Sequence, residues 1–209
     1  MKFKKEIGAI IVIVAVLALV VVLVYFNPAP ARTGPTSTST ASVSGLVLSI
    51  TLNASSIQTG HAISFSASLF NSLTTENNVT AASNWAVLDL VIGPCGPTDS
   101  PIAFAIVQGF YTGSNISKAP AIQYGPSCTT VMGGVKLYSF RPMSDNASVI
   151  GKCSTNPCFT KPMAWTRSFS NYWSKNELVN FTPGLYTVVV ADEWGNLVVA
   201  QFTVHASPA

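Results

Sequence analysis

TPGLYTVVVADEWGNLVVAQFTV, residues 182–204, is the stretch on which the fold turns. Pro183-Gly184 is a turn pair, because Pro presets φ and Gly enters backbone regions closed to other residues. Leu185–Ala191 then runs through β-branched and aromatic residues, the composition of a strand. Asp192–Asn196 interrupts it with polar side chains around Gly195, which is free to take a positive φ in a tight loop. Leu197–Val204 returns beside its partner. The pair reads as an antiparallel hairpin that closes a domain.

Working outward, the same two-residue period recurs. In Leu46–Leu52 the large apolar residues fall on even positions, and in Ile63–Leu69 they alternate with Ser64, Ser66 and Ser68 after a turn at Thr59-Gly60. Such alternation describes a strand with one buried and one wet face. Further strands are expected at Trp85–Ile92, Ile102–Tyr111, Val135–Phe140 and Met163–Phe169, with Gly, Pro, Asn and Ser clusters between them. After residue 27 no segment keeps a 3.6-residue period for three turns. About eight short strands without helices argue for an antiparallel β-sandwich over residues 45–209.

A Pro-Gly turn followed by Tyr186 at a strand start resembles the tyrosine corner of immunoglobulin-like sandwiches, in which the hydroxyl ties back to nearby backbone. The resemblance implies a structural role for Tyr186. It departs from antibody domains in that no Cys lies two residues after Tyr186 and none lies in Ile63–Leu69, so the inter-sheet disulfide does not carry over.

Charged residues make up only 9% of the 209 residues, against about 25% in ordinary domains. That excludes a disordered polyelectrolyte and a coiled coil. Lys2, Lys4 and Lys5 precede Ile7–Phe26, a 20-residue run without charge or Pro. As a helix it is about 30 Å long, the thickness of a bilayer's hydrocarbon core. Residues 7–26 are therefore expected to be one transmembrane helix in contact with membrane lipid, with residues 1–6 as a cytoplasmic tail and the remainder outside. A cleaved leader is the alternative: Ala29 and Ala31 suit a cut, but leader apolar regions usually run about 7–15 residues. A pilin-type leader would need a small residue after Lys4-Lys5, where Glu6 and Ile7 stand. Beyond residue 6 the cations and acids nearly balance, eight against seven, which leaves no grip on nucleic acid. Residues 27–44, rich in Pro, Ser and Thr, are expected to be an unfolded stalk.

A Lys-rich start, one Val/Ile span, a Ser/Thr stalk and a sandwich ending in a PGxYTVVVADEWG-like hairpin together resemble small exported proteins of archaea. The resemblance implies a cell-surface location. It implies no reaction.

Cys95, Cys128, Cys153 and Cys158 all follow the span. Four cysteines allow three pairings. Asn156-Pro157 makes closure between Cys153 and Cys158 easy, which leaves Cys95 with Cys128. Such loops would contribute about 2.2 and 3.8 kcal/mol on the chain-entropy model. A four-thiolate zinc site is the alternative, but it lacks the C-x2-C knuckle. Asn53, Asn78, Asn115, Asn146 and Asn180 each begin an N-x-S/T sequon, so all five are candidate glycosylation sites.

No G-x-S-x-G, H-E-x-x-H or P-loop pattern occurs. His61 and His205 lie more than thirty residues from any Cys, which rejects a blue-copper centre on sequence. No catalytic, cofactor-binding or metal-binding residue stands out. Asp89 lies in an apolar run and is expected on a wet face, while Trp165, Phe169, Tyr172 and Trp173 read first as core and second as a sugar-binding surface. The scarcity of carboxylates suits an acidic exterior, where Asp and Glu neutralise. The expectation is a non-catalytic, plasma-membrane-anchored extracellular protein of structure or interaction, with protein partners or self-assembly at the cell surface. A filament subunit (with segment 45–52 donated to a neighbour, or the apolar helix in a core) and a solute- or carbohydrate-binding receptor or hydrolase are the alternatives.

Overall fold

The computed structural model describes residues 38–80, 101–121, 137–143, 158–175 and 177–208, all within a compact unit running from Thr33 to Ala209. The expected span at 7–26, the strand Trp85–Ile92, Asp89, Asn146, Cys95, Cys128 and Cys153 lie outside the described residues. Among the described residues no helix is long and apolar enough to cross a membrane.

Thirteen strands are described: β1 Thr38–Val43, β2 Leu46–Leu52, β3 Ser56–Gln58, β4 Ile63–Asn71, β5 Asn77–Thr80, β6 Ile102–Gln108, β7 Leu137–Phe140, β8 Cys158–Phe159, β9 Met163–Phe169, β10 Asn171–Ser174, β11 Glu177–Asn180, β12 Gly184–Asp192 and β13 Leu197–His205. One 3-10 turn covers Ile116–Lys118. The protein is mainly β. Two four-stranded sheets, ordered β1-β2-β4-β9 and β3-β13-β12-β6, are joined by a three-stranded sheet β5-β7-β8 and the β10-β11 ribbon. Pairing is antiparallel except at β13–β3 and β7–β8.

The two-residue period explains the packing. Leu46, Leu48, Ile50 and Leu52 of β2, with Ile63, Phe65, Ala67 and Leu69 of β4, form one core with Tyr186, Val188 and Val190 of β12 and Val198, Ala200, Phe202 and Val204 of β13. Phe65 meets Phe104 of the opposite sheet edge-on, with ring centroids 5.4 Å apart. Each large side chain buried this way contributes about 1.5–3 kcal/mol. A one-residue slip of β2 against β4 would turn Leu46, Leu48, Ile50 and Leu52 into solvent, so the register is strongly specified. β12, like its neighbour β6, is covered on both faces. Its second face places Val189 and Ala191 with Ala105, Val107 and Ile116 in a smaller cluster. That double burial is why VVVA reads as an unbroken apolar run.

One expectation needs correction. The stalk was placed at residues 27–44, yet Thr38–Val43 is a strand, paired with β2 from Thr38↔Thr51 to Val43↔Leu46. Ser44 and Gly45 both have positive φ, 53° and 76°. Those are the values of a two-residue hairpin turn whose twist matches its strands. A Cβ on Gly45 would also come within 2.7 Å of Leu73. The reason for the difference is that an edge strand needs no core stripe of its own. Thr and Val suit the pleat, and the ladder satisfies their backbone groups. β2 itself is an internal strand of this chain's own sheet, flanked by β1 and β4.

On β12, Tyr186 is fully buried. Its hydroxyl donates to the Thr182 carbonyl at 2.9 Å and accepts from the Thr182 amide at 3.0 Å. Its ring stacks on Phe202 and receives the edges of Phe181 and Tyr172. Tyr186→Phe keeps the ring and removes both bonds. It should lower the unfolding free energy by about 1–3 kcal/mol. Denaturant titration would read this as an earlier midpoint with an unchanged slope.

Candidate functional site

The strands that bury leucine and phenylalanine inward must present their alternate residues outward. On sheet β1-β2-β4-β9 those residues are almost all hydroxyls. Register aligns Thr38, Thr51, Ser66 and Thr166 in one row across four strands, and Thr40, Ser49, Ser68 and Ala164 in the next. Cross-strand hydroxyl bonds join Thr38 to Thr51 at 3.2 Å, Ser49 to Ser68 at 2.7 Å and Ser66 to Thr166 at 2.8 Å, and Ser64 also bonds Ser168. Strand spacing of about 4.8 Å and a two-residue repeat of about 6.8 Å turn these groups into a regular grid. A shallow depression of about 330 Å³ lies over Ser49, Thr51, Ser66, Ser68, Ala164 and Thr166. It is shallow where Ala164 supplies only a methyl.

None of the residues lining the depression is titratable. Hydroxyls both donate and accept, and each pair bonded to one another keeps a proton and several lone pairs for a partner. The face therefore offers hydrogen bonds at every pH without a charge. Among the described residues lining it there is no side chain that could act as a base.

A second cluster sits at the hairpin loop between β12 and β13. Asp192 is fully buried. Its Oδ1 accepts from the amides of Trp194 and Asn196, both at 2.9 Å, and its Oδ2 accepts from Asn196 Nδ2 at 2.6 Å. Asp and Asn side chains that bond backbone two to four residues on define tight loops. Gly195 takes φ 91° to close this one. Trp194 donates its indole N–H to the Thr80 carbonyl at 2.9 Å and sets its ring edge-on to Tyr138 and Phe140. Glu193 is buried as well, with the Tyr138 hydroxyl directed at its Oε1 from 3.5 Å, the outer limit of a hydrogen bond. Asn196 Oδ1 is buried without a hydrogen-bond partner. Burial raises the Asp192 carboxyl above its ordinary 3.8, against the lowering effect of the Asn196, Trp194 and Gly195 donors.

The residues singled out by sequence are spread over the domain. Asn53, Asn78 and Asn180 are exposed and Asn115 is half-buried. The Asn53 and Asn115 carbonyl oxygens accept from the Ser64 and Thr112 amides. Cys158 is held in a disulfide at β8. His61 and His205 are both exposed. Trp165 and Phe169 pack on the main core, Tyr172 belongs to it and Trp173 packs on the smaller cluster. Among the described residues no group of three or more His, Cys, Asp or Glu is placed to hold a metal ion. Sequence reading marked Ser64, Ser66 and Ser68 as a wet face without pairing them to Ser49, Thr51 or Thr166.

No family model matches this chain, and no curated protein matches it. Among solved structures, a β-glucosidase from Listeria innocua in complex with isofagomine aligns with 83% of this chain and 16% of its own, at 11% identity and a TM-score of 0.31. This chain spans a small fraction of that enzyme's length. A likeness so slight says nothing of its chemistry.

The raised Asp192 carboxyl has a definite sign in stability. A folded value above the unfolded one favours the native state most below the unfolded value, and that advantage is lost as pH rises through the folded value. Asp192→Asn keeps an acceptor for the loop amides and, with the Asn196 amide turned, gives the orphaned Oδ1 a donor. Wild type should therefore be more stable relative to Asp192→Asn near pH 3 than near pH 7. Paired urea titrations at the two values read the difference, and a gap that widens in the opposite direction overturns the assignment.

Proposed function

We propose that this chain is a membrane-anchored protein of the cell surface, held by residues 7–26 with its N-terminus cytoplasmic. The remainder forms an immunoglobulin-like extracellular module for contact in an envelope, in adhesion or as an accessory subunit. The observation that carries this reading is the hydroxyl grid: a sheet face four strands wide, free of titratable groups over its depression, set on a domain whose described aromatics, Phe110 apart, pack mostly on its core. The Tyr186–Thr182 bonds support the immunoglobulin-like part. Export supports disulfides at Cys95, Cys128, Cys153 and Cys158, and sugar on exposed sequon residues such as Asn53 and Asn180. Binding through hydroxyls suits a partner that is itself rich in hydroxyls and amides, and it needs no cofactor.

Two measurements test the reading. Fractionated cells should hold the protein in the membrane, and protease added outside should remove the domain. A photo-crosslinker at Ser66 should capture a neighbour on intact cells, whereas one at the exposed Lys118 should not. Recovery in the cytosol with free thiols would overturn the location, and equal capture from both positions would overturn the assigned face.

A further inference from the structure

β1 lies at the edge of its sheet, with β2 on its inner side. The ladder starts at the two-residue turn Ser44-Gly45, so Val43↔Leu46, Ala41↔Leu48 and Ser39↔Ile50 are the pairs that exchange backbone bonds. The residues between them, Thr38, Thr40 and Ser42, direct their N–H and C=O groups away from β2. All three are exposed. Among the described residues Thr38–Val43 bond to β2 alone, the Thr38–Thr51 hydroxyl contact included. The outer groups of this edge are therefore open.

An open edge is a template for another strand, and native edges usually carry Lys, Pro, a bulge or an inward charge to prevent such pairing. The opposite edge of the same sheet, β9, contains Arg167 and follows directly on Lys161-Pro162. β1 has no such device. TSTASV is six residues without a charge, a proline or a break in register. Its hydroxyls also carry the outward rows to the very rim, Thr38 beside Thr51 and Thr40 beside Ser49.

We propose that β1 is a self-association edge, pairing antiparallel with β1 of a second copy about a two-fold axis at Thr40. Antiparallel pairing sets residues with free groups opposite one another, and the register that uses all of them places Thr40 opposite Thr40 and Thr38 opposite Ser42. It forms about six backbone bonds. Directly opposed residues share a face, so the two hydroxyl faces become one. A second copy is the partner these features fit, because the strand is its own complement in length and register and brings no like charges to the axis. A six-residue edge is small beside the roughly 1,200–2,000 Å² of a stable interface. Pairing is accordingly weak in dilute solution and favoured where copies are held side by side. That placement rests on the anchor proposed above; the pairing itself does not.

Sedimentation equilibrium of the purified full chain in non-ionic detergent tests it, up to about 1 mM protein, the effective concentration of tethered partners. A reversible dimer is expected. Thr40→Pro removes both bonds of the central pair and none to β2, and should raise the midpoint concentration about tenfold or more. Thr40→Lys sets like charges across the axis and should raise it less, while Thr166→Lys on the far edge should leave it unchanged. Mild oxidation reads the register. Thr40→Cys should give a covalent dimer, its Cα atoms about 5.5 Å apart, and so should Thr38→Cys mixed with Ser42→Cys. Ser42→Cys alone should not, since the two positions would stand roughly 14 Å apart. The proposal is overturned by a monomer at every concentration, by a dimer indifferent to both Thr40→Pro and Thr40→Lys, or by equal linkage through Ser42→Cys and Thr40→Cys. A photo-crosslinker at Thr40 that captures a different protein on intact cells, and never this chain, overturns it as well. Membrane recovery and capture at Ser66 are read separately, so failure here leaves the proposed anchoring and contact face standing.

Discussion

The register between β2 and β4 is the constraint on which everything else rests. Leu48↔Leu69 and Ile50↔Ala67 face the core, so Ser49↔Ser68 and Thr51↔Ser66 face out. Core and hydroxyl face are thus two sides of one decision. A substitution that shifted the ladder by a residue would expose the leucines and dismantle the hydroxyl rows in the same step. The surface needs no separate device to keep it flat and regular, because the hydrophobic core already does so.

The second organising element is β12, covered on both faces and extended into the loop that buries Asp192. A strand so enclosed leaves its terminal carboxyl little water, and that burial raises its titration above the ordinary carboxylate value. Three donors hold Asp192, yet the Oδ1 of its neighbour Asn196 stays unmatched. The hydroxyl rows, by contrast, have no titratable residue lining their depression among the described residues.

Strongly periodic segments were legible before any coordinates. Met163–Phe169 is a strand over the range expected, and the hairpin Leu185–Ala191 with Leu197–Val204 differs only by a residue at its ends. β1 is not expected as a strand, because a mostly polar stretch beside Pro residues looks like a linker. The Ser44-Gly45 turn between alternating residues was the signal available. The hydroxyl rows could not be assembled from one strand: Ser64 and Ser66 were visible as a wet face, but their partners Ser168 and Thr166 lie about a hundred positions away. The cluster where the end of β4 meets β7 and β8 was still less accessible. Asn71, Arg141 and Lys161 share no spacing, and only the pairing of β5, β7 and β8 gathers their neighbourhood.

The edge position of β1 has a mechanical corollary. Tension applied at Thr38 acts on an outer strand of its sheet, where the facing residue is Thr51. Pulled sideways, β1 would peel from β2 one rung at a time and yield softly; pulled lengthwise, all its rungs would resist together. The angle at which the polypeptide enters would thus decide whether this edge behaves as a compliant buffer or a stiff coupling.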